Sequence, residues 1–130
     1  MNKQNIDLVR SYFDALNRGD FAGAGSTFAD DLVWHQPGTH SLSGTHRGKA
    51  AVFGLLGAFV ERSAGSFRID RVDQLFGNGD LVAATIVFSA SAGAKSMAMA
   101  GVDLLRVENG KIAEAWLFSA DQPAEDAFWG

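Results

Sequence analysis

The sequence contains no cysteine. Disulfide bridges, thiolate nucleophiles and thiolate metal sites are therefore excluded, and a reducing compartment is compatible with the chain. Tyrosine is almost missing: there is one, against ten phenylalanines. Most of the aromatic surface thus has no hydrogen-bonding handle and belongs inside. No run of Lys or Arg exists, and the net charge is -4 with a pI of about 5.2. The electrostatic footprint of a nucleic-acid binder is absent. No apolar stretch reaches the roughly 18 residues of a membrane-spanning helix. The start, MNKQNIDLVRSYF, lacks the uninterrupted apolar core of a signal peptide. The expected location is the cytoplasm, with neither nucleic acid nor membrane as a partner. There is no G-x-S-x-G elbow, P-loop or G-x-G-x-x-G. Repeats, linkers and low-complexity tracts are also missing.

What remains is an ordinary globular balance, with 47% hydrophobic and 20% charged residues in 130. That length suits one domain, residues 1–130, with one core. Leu8, Val9, Tyr12, Phe13 and Leu16 form an apolar stripe that predicts a helix over 5–18, capped by Asn5 and stopped at Gly19. Asp20 caps a short second helix over 21–28. Residues 31–37 read as a strand ending at Pro37, and 38–47 as a loop rich in Gly, Ser, Thr and His. KAAVFGLLGAFVER is a third helix with Val52, Leu55, Leu56, Phe59 and Val60 on one face, and Gly65 closes it.

The second half changes period. Residues 66–76, 81–91, 96–108 and 111–120 read as four strands. Asn109-Gly110 is a strong hairpin signal, and Gly77–Asp80 and Ala92–Ala94 mark two further turns. The alternation slips within 66–76, which predicts a bulge and a bent strand. Pro123 opens a short terminal helix that Asp121 caps. Helices followed by an antiparallel meander give an α+β class, with helices on one face of the sheet.

A few residues carry possible chemistry. Tyr12 sits mid-stripe, so its hydroxyl lies inside and needs a partner; a core tyrosine bonded to a backbone carbonyl is the plain alternative. Asp103 is the single polar residue on the apolar face Met97, Met99, Gly101, Asp103, Leu105, Val107. Loss of hydration there raises its pKa and makes it a hydrogen-bond donor near neutral pH. An edge charge, or pairing with Arg106 or Arg68, is the competing reading. Trp34, His35, Gln36 and Pro37 cluster where the first strand ends. Alternation puts Trp34 and Gln36 on one face and His35 on the other. His35 has an acid–base pKa, but a lone histidine is often structural. Gln36 has no useful pKa and can only position a substrate or water. The spacing of His35, His40 and His46 fits no zinc pattern, so no metal is expected. Trp116, Phe118 and Asp121 end the last strand. Trp116 is a candidate pocket wall, and Asp121 is a pocket acid or a helix cap. Phe128 and Trp129 pack the tail onto the body or onto a second subunit.

The strings SYFDALNRGD, FADDLVWHQPG and GVDLLRVENGKIAEAW, in this order and spacing, resemble the nuclear transport factor 2-like superfamily over nearly the whole chain. Within it, the ketosteroid isomerase and SnoaL-like polyketide cyclase branches are the most similar. The resemblance implies a cone-shaped, strongly curved antiparallel sheet against three helices of the N-terminal half. It also implies a deep apolar pocket for a hydrophobic small molecule and a homodimer. In the isomerases a helix tyrosine and a protonated strand aspartate form an oxyanion hole, and Tyr12 and Asp103 fall at the matching positions. The isomerase base, an acid just before the strand-end proline, is replaced here by Gln36. The W-H-x-P-G stretch and the tail look closer to the cyclases, which work without metal or cofactor. The expected site comprises Tyr12, Asp103, His35 and Gln36, with Trp34, Phe59, Met99, Trp116, Phe118 and Asp121 contacting the substrate. Two functions follow: a cofactor-independent isomerase or cyclase, or a non-catalytic binding or assembly module of the same fold.

Overall fold

The computed structural model describes residues 2–130. Helix α1 (Asn2–Asn17) buries Val9, Tyr12, Phe13 and Ala15 on the face that the stripe marked. It begins before Asn5, whose side chain instead donates to the Gly79 carbonyl (3.3 Å). Gly19 ends the turn after α1 in the left-handed region (φ 72°). Asp20 caps α2 (Phe21–Gly25) by accepting from the Gly23 N–H (2.8 Å). This helix is shorter than expected, because Ser26 and Thr27 turn the chain into strand β1 (Phe28–Gln36).

The loop after Pro37 holds a strand that composition did not reveal, β2 (Gly44–Arg47), which pairs antiparallel with β1. Then follow α3 (Lys49–Arg62), β3 (Arg68–Asn78), β4 (Leu81–Ala92), β5 (Lys95–Glu108), β6 (Lys111–Ser119) and α4 (Gln122–Trp129). Asn109 and Gly110 both have positive φ (52° and 74°), the backbone that a tight β5–β6 hairpin requires. The slipped alternation in β3 corresponds to two register shifts against β4.

The sheet order is β2-β1-β6-β5-β4-β3. One pairing corrects the expectation of an antiparallel sheet: β1 runs parallel to β6, with Trp34 opposite Ala115. A parallel pair needs a long crossover rather than a hairpin, so no turn signal announces it. The sheet is therefore mixed. The core gathers the buried faces of α1, α3 and α4 with one face of the sheet, and Tyr12, Phe28, Leu32 and Leu105 are among its most deeply buried members. Among the described residues, no helix is long and apolar enough to cross a membrane.

Candidate functional site

A cavity of about 40 Å³ lies between α1, α3, α4 and the sheet. Its walls are largely apolar, including Trp34, Phe59, Phe67, Ile86 and Phe88. Four polar side chains also line it: Tyr12, Asp103, Ser119 and Glu125. The volume suits a few waters or the head of a ligand, not a polycyclic body. Beyond it lies a groove of about 760 Å³ with Arg18, Arg68, Ser66 and Ser91 on its rim. Leu16 and Phe67 line both spaces, so the two adjoin there.

Tyr12 reaches the cavity because it occupies the middle of the buried stripe of α1, and it is 2% exposed. Asp103 reaches it because strand alternation puts it on the inner face, opposite Ala84 of β4 and Leu117 of β6. It is 5% exposed. Neither of the two arginines considered as partners neutralises it. Arg106 pairs with Glu108 and Glu114, and Arg68 with Asp70. Burial, with the Glu125 carboxyl added, pushes Asp103 up to about 7. Burial, and then the Asp103 charge, raises the Tyr12 phenol well above its ordinary value. Tyr12 therefore bears its proton in neutral solution, and Asp103 holds its own below about 7. Among the described residues, neither side chain hydrogen-bonds to another group of the chain, whereas neighbouring Glu125 accepts three hydrogen bonds.

Trp34 lines the cavity and donates its indole N–H to Gln36 Oε1 (3.1 Å). Gln36 itself is buried behind Trp34 and does not line the cavity. Phe59 forms a wall, with its ring centroid 4.8 Å from that of Trp129. Phe118 borders the cavity yet is 57% exposed. Other residues expected at the site lie elsewhere. His35 projects from the opposite side of β1, donates from Nε2 to Glu114 Oε2 (2.7 Å) and stacks on Trp116 (5.5 Å between centroids). Period-two alternation takes both residues away from the cavity. Met99 packs half-buried against the core beside Phe88, its β4 partner, without lining the cavity. Asp121 caps α4, accepting from the Ala124 N–H (3.1 Å).

Sequence reasoning missed Glu125. It is 4% exposed and lines the cavity from α4. Its Oε1 accepts from Ser119 Oγ (2.7 Å) and Gln122 Nε2 (3.1 Å), and its Oε2 from Trp129 Nε1 (3.2 Å). The signal was present: Glu125, Phe128 and Trp129 follow i, i+3, i+4 spacing, so the glutamate shares a face with two residues expected to pack inward. Among the loop histidines, His40 Nδ1 accepts from the Leu42 N–H (3.1 Å) and His46 Nε2 donates to the Leu42 carbonyl (2.9 Å). Both serve to fold the loop. Among the described residues, no group of three or more His, Cys, Asp or Glu is placed to hold a metal ion.

A model of the SnoaL-like domain matches residues 9–115. The uncharacterized protein Rv0034 of Mycobacterium tuberculosis is 33% identical over 125 residues, 96% of this chain and 95% of that protein. A Xanthomonas campestris protein of unknown function with a cystatin-like fold is 52% identical. It superposes with a TM-score of 0.94 over 100% of this chain and 99% of that one. A putative ketosteroid isomerase from Kribbella flavida DSM 17836, 21% identical, shares the fold with a TM-score of 0.74, over 92% of this chain and 80% of the other. The helices, the mixed sheet and these similarities agree, and the chain belongs to the SnoaL-like family, on a cystatin-like, nuclear transport factor 2-like fold.

Proposed function

We propose that the cavity binds the carbonyl oxygen of a small hydrophobic molecule and acts on it as a cofactor-independent enzyme of isomerase or cyclase type. Tyr12 and the protonated Asp103 donate hydrogen bonds to that oxygen. One observation carries this reading: two buried polar groups from separate elements, α1 and β5, line one apolar cavity and receive no hydrogen bond from the chain. Side-chain polar groups inside a protein normally find a partner, and two that face a cavity with none from the chain suit a polar atom of something that enters it. Two donors aimed at one oxygen stabilise the negative charge that develops when a carbonyl becomes an enolate. The carbonyl end fits the inner cavity, and the remainder of the substrate lies past Leu16 and Phe67 in the outer groove.

A non-catalytic binding module is the second reading. It is favoured by Gln36, which stands before Pro37 where the isomerases carry their base, and by the small inner volume. A homodimer accompanies either reading. The sheet face that carries Trp116 and the mostly exposed Phe118 is the surface that a second copy would cover.

The test is a fluorescence titration with 2-naphthol, whose phenol oxygen mimics an enolate. The native protein is compared with Tyr12→Phe and Asp103→Leu. Saturable binding that each substitution weakens by about tenfold or more supports the donor pair, since a hydrogen bond to a charged group contributes about 1.5–3 kcal/mol. Binding unchanged by both substitutions overturns it.

A further inference from the structure

We infer that Glu125 is the proton acceptor of this cavity, removing a proton from the carbon next to the carbonyl group held by Tyr12 and Asp103. The inference rests on the donor-pair reading above and adds the group that reading lacks. A reaction through an enolate needs a base within reach of the substrate. Gln36 has no basic atom, His35 is on the far side of the sheet, and Asp121 is committed to the α4 cap. Among the described residues lining the cavity, Glu125 and Asp103 are the two carboxyl groups, and Asp103 is assigned as a donor.

The geometry of Glu125 fits a base more closely than a strut. A carboxylate offers about four acceptor positions. Three are filled by Ser119, Gln122 and Trp129, and these partners come from both β6 and α4. Oε1 accepts twice, while Oε2 accepts once and keeps one position open. The side chain is thus held without freedom to swing, with one lone pair left on the oxygen that can take a proton. A residue needed only to fasten α4 would gain nothing from lining a cavity that contains two unpartnered donors.

The proton and electron balance is closed. The C–H bond next to the carbonyl breaks, and its proton passes to Glu125 Oε2. The bonding pair forms the C=C of the enolate, and the carbonyl π pair moves to the oxygen that faces Tyr12 and Asp103. Collapse of the enolate reverses this, with Glu125 returning the proton to the same carbon or to a conjugated one. No oxidant, metal or second substrate is required.

The experiment measures exchange of the acidic C–H protons of 2-tetralone in deuterated buffer by proton NMR, with 2-naphthol affinity measured alongside. Native protein is expected to accelerate exchange above buffer. Glu125→Gln keeps the shape and the Oε1 acceptor, and should slow exchange by about 10²–10⁴-fold while 2-naphthol affinity stays within about threefold. Glu125→Asp retains a carboxylate but withdraws it by one methylene, and should also slow exchange while binding persists. In the native protein the exchange rate should fall as pH rises through about 7, because Asp103, which faces Tyr12 and Glu125, then loses the proton it donates. Native-like exchange in a folded Glu125→Gln variant that still binds 2-naphthol overturns the role of Glu125 and leaves the donor pair standing. Binding by the native protein with no exchange above buffer does the same. Failure of the native protein to bind 2-naphthol overturns both.

Discussion

Asp103 on β5 and Glu125 on α4 line the same cavity, and the nearness of the Glu125 carboxyl adds to the burial that raises Asp103 to about 7. Two carboxyls in one apolar space do not both ionise freely. The proton settles on Asp103, which has no donors from the chain, while Glu125 accepts three hydrogen bonds. The local structure thus assigns unlike roles to like groups.

The pH dependence of stability follows from this. Folded Asp103 holds its proton up to about 7, whereas in the unfolded chain it releases it near 3.8. Between those values the folded state binds one proton more, so this group's contribution to stability falls as pH rises from about 4 to about 7 and is level above. Asp103→Asn has no such proton. The native protein should therefore lose on the order of 4 kcal/mol relative to that variant across the window. Urea unfolding of both proteins at three pH values checks this; a constant difference would mean that Asp103 titrates as an ordinary carboxyl.

Tyr12→Phe should leave stability unchanged or raise it. Truncating a buried tyrosine whose hydroxyl is paired usually costs about 0.5–1.5 kcal/mol, but this hydroxyl has no partner in the chain to lose. Thermal melts in ligand-free buffer measure it. A clear drop in melting temperature would show that the Tyr12 hydroxyl supports the fold.

Phe67 stands where the inner cavity meets the outer groove and packs on Phe59, Phe88 and Trp129. Phe67→Ala should widen the passage between the two spaces and destabilise the protein by about 2–4 kcal/mol, at or below the range for fully buried aromatics because Phe67 is only half-buried. Association with 2-naphthol should become faster in stopped-flow fluorescence. An unchanged association rate would mean that ligands reach the cavity by another route.

His35→Asn should leave 2-naphthol affinity within about twofold, because the imidazole lies across the sheet from the cavity. Its expected cost to folding is at most about 1 kcal/mol, since the His35–Glu114 pair is partly exposed. Isothermal titration of the variant tests it, and a large loss of affinity would place His35 at the site after all.

The parts of this structure that were legible in sequence are those that rest on local signals. The stripe around Tyr12, the Asp20 cap, the Asn109-Gly110 turn and the inward parity of Asp103 each follow from a period or a backbone requirement within a few residues. The β1–β6 pairing was not legible, because it joins distant segments without a turn between them. Strand β2 was hidden by its composition: Gly44-Thr45-His46-Arg47 has no apolar alternation, and its order comes from the edge of β1. At the site, parity correctly separated His35 from Trp34. Trp116 was misplaced because the inward register around 115–119 depends on how the last hairpin closes. Glu125 escaped notice because its environment is built by Ser119 and Trp129, which meet only when α4 docks.

The parallel seam between β1 and β6 also orders events in time. During synthesis, β1 leaves the ribosome early and can pair with β2 on one edge, but its other edge has no occupant until residues 111–119 emerge. The sheet therefore cannot close around its core before nearly the whole chain exists. A mixed fold sealed by so distant a contact should fold more slowly than its hairpins alone would. Its nascent N-terminal half, carrying Phe28, Leu32 and Trp34 uncovered, is the stage at which a chaperone would matter most.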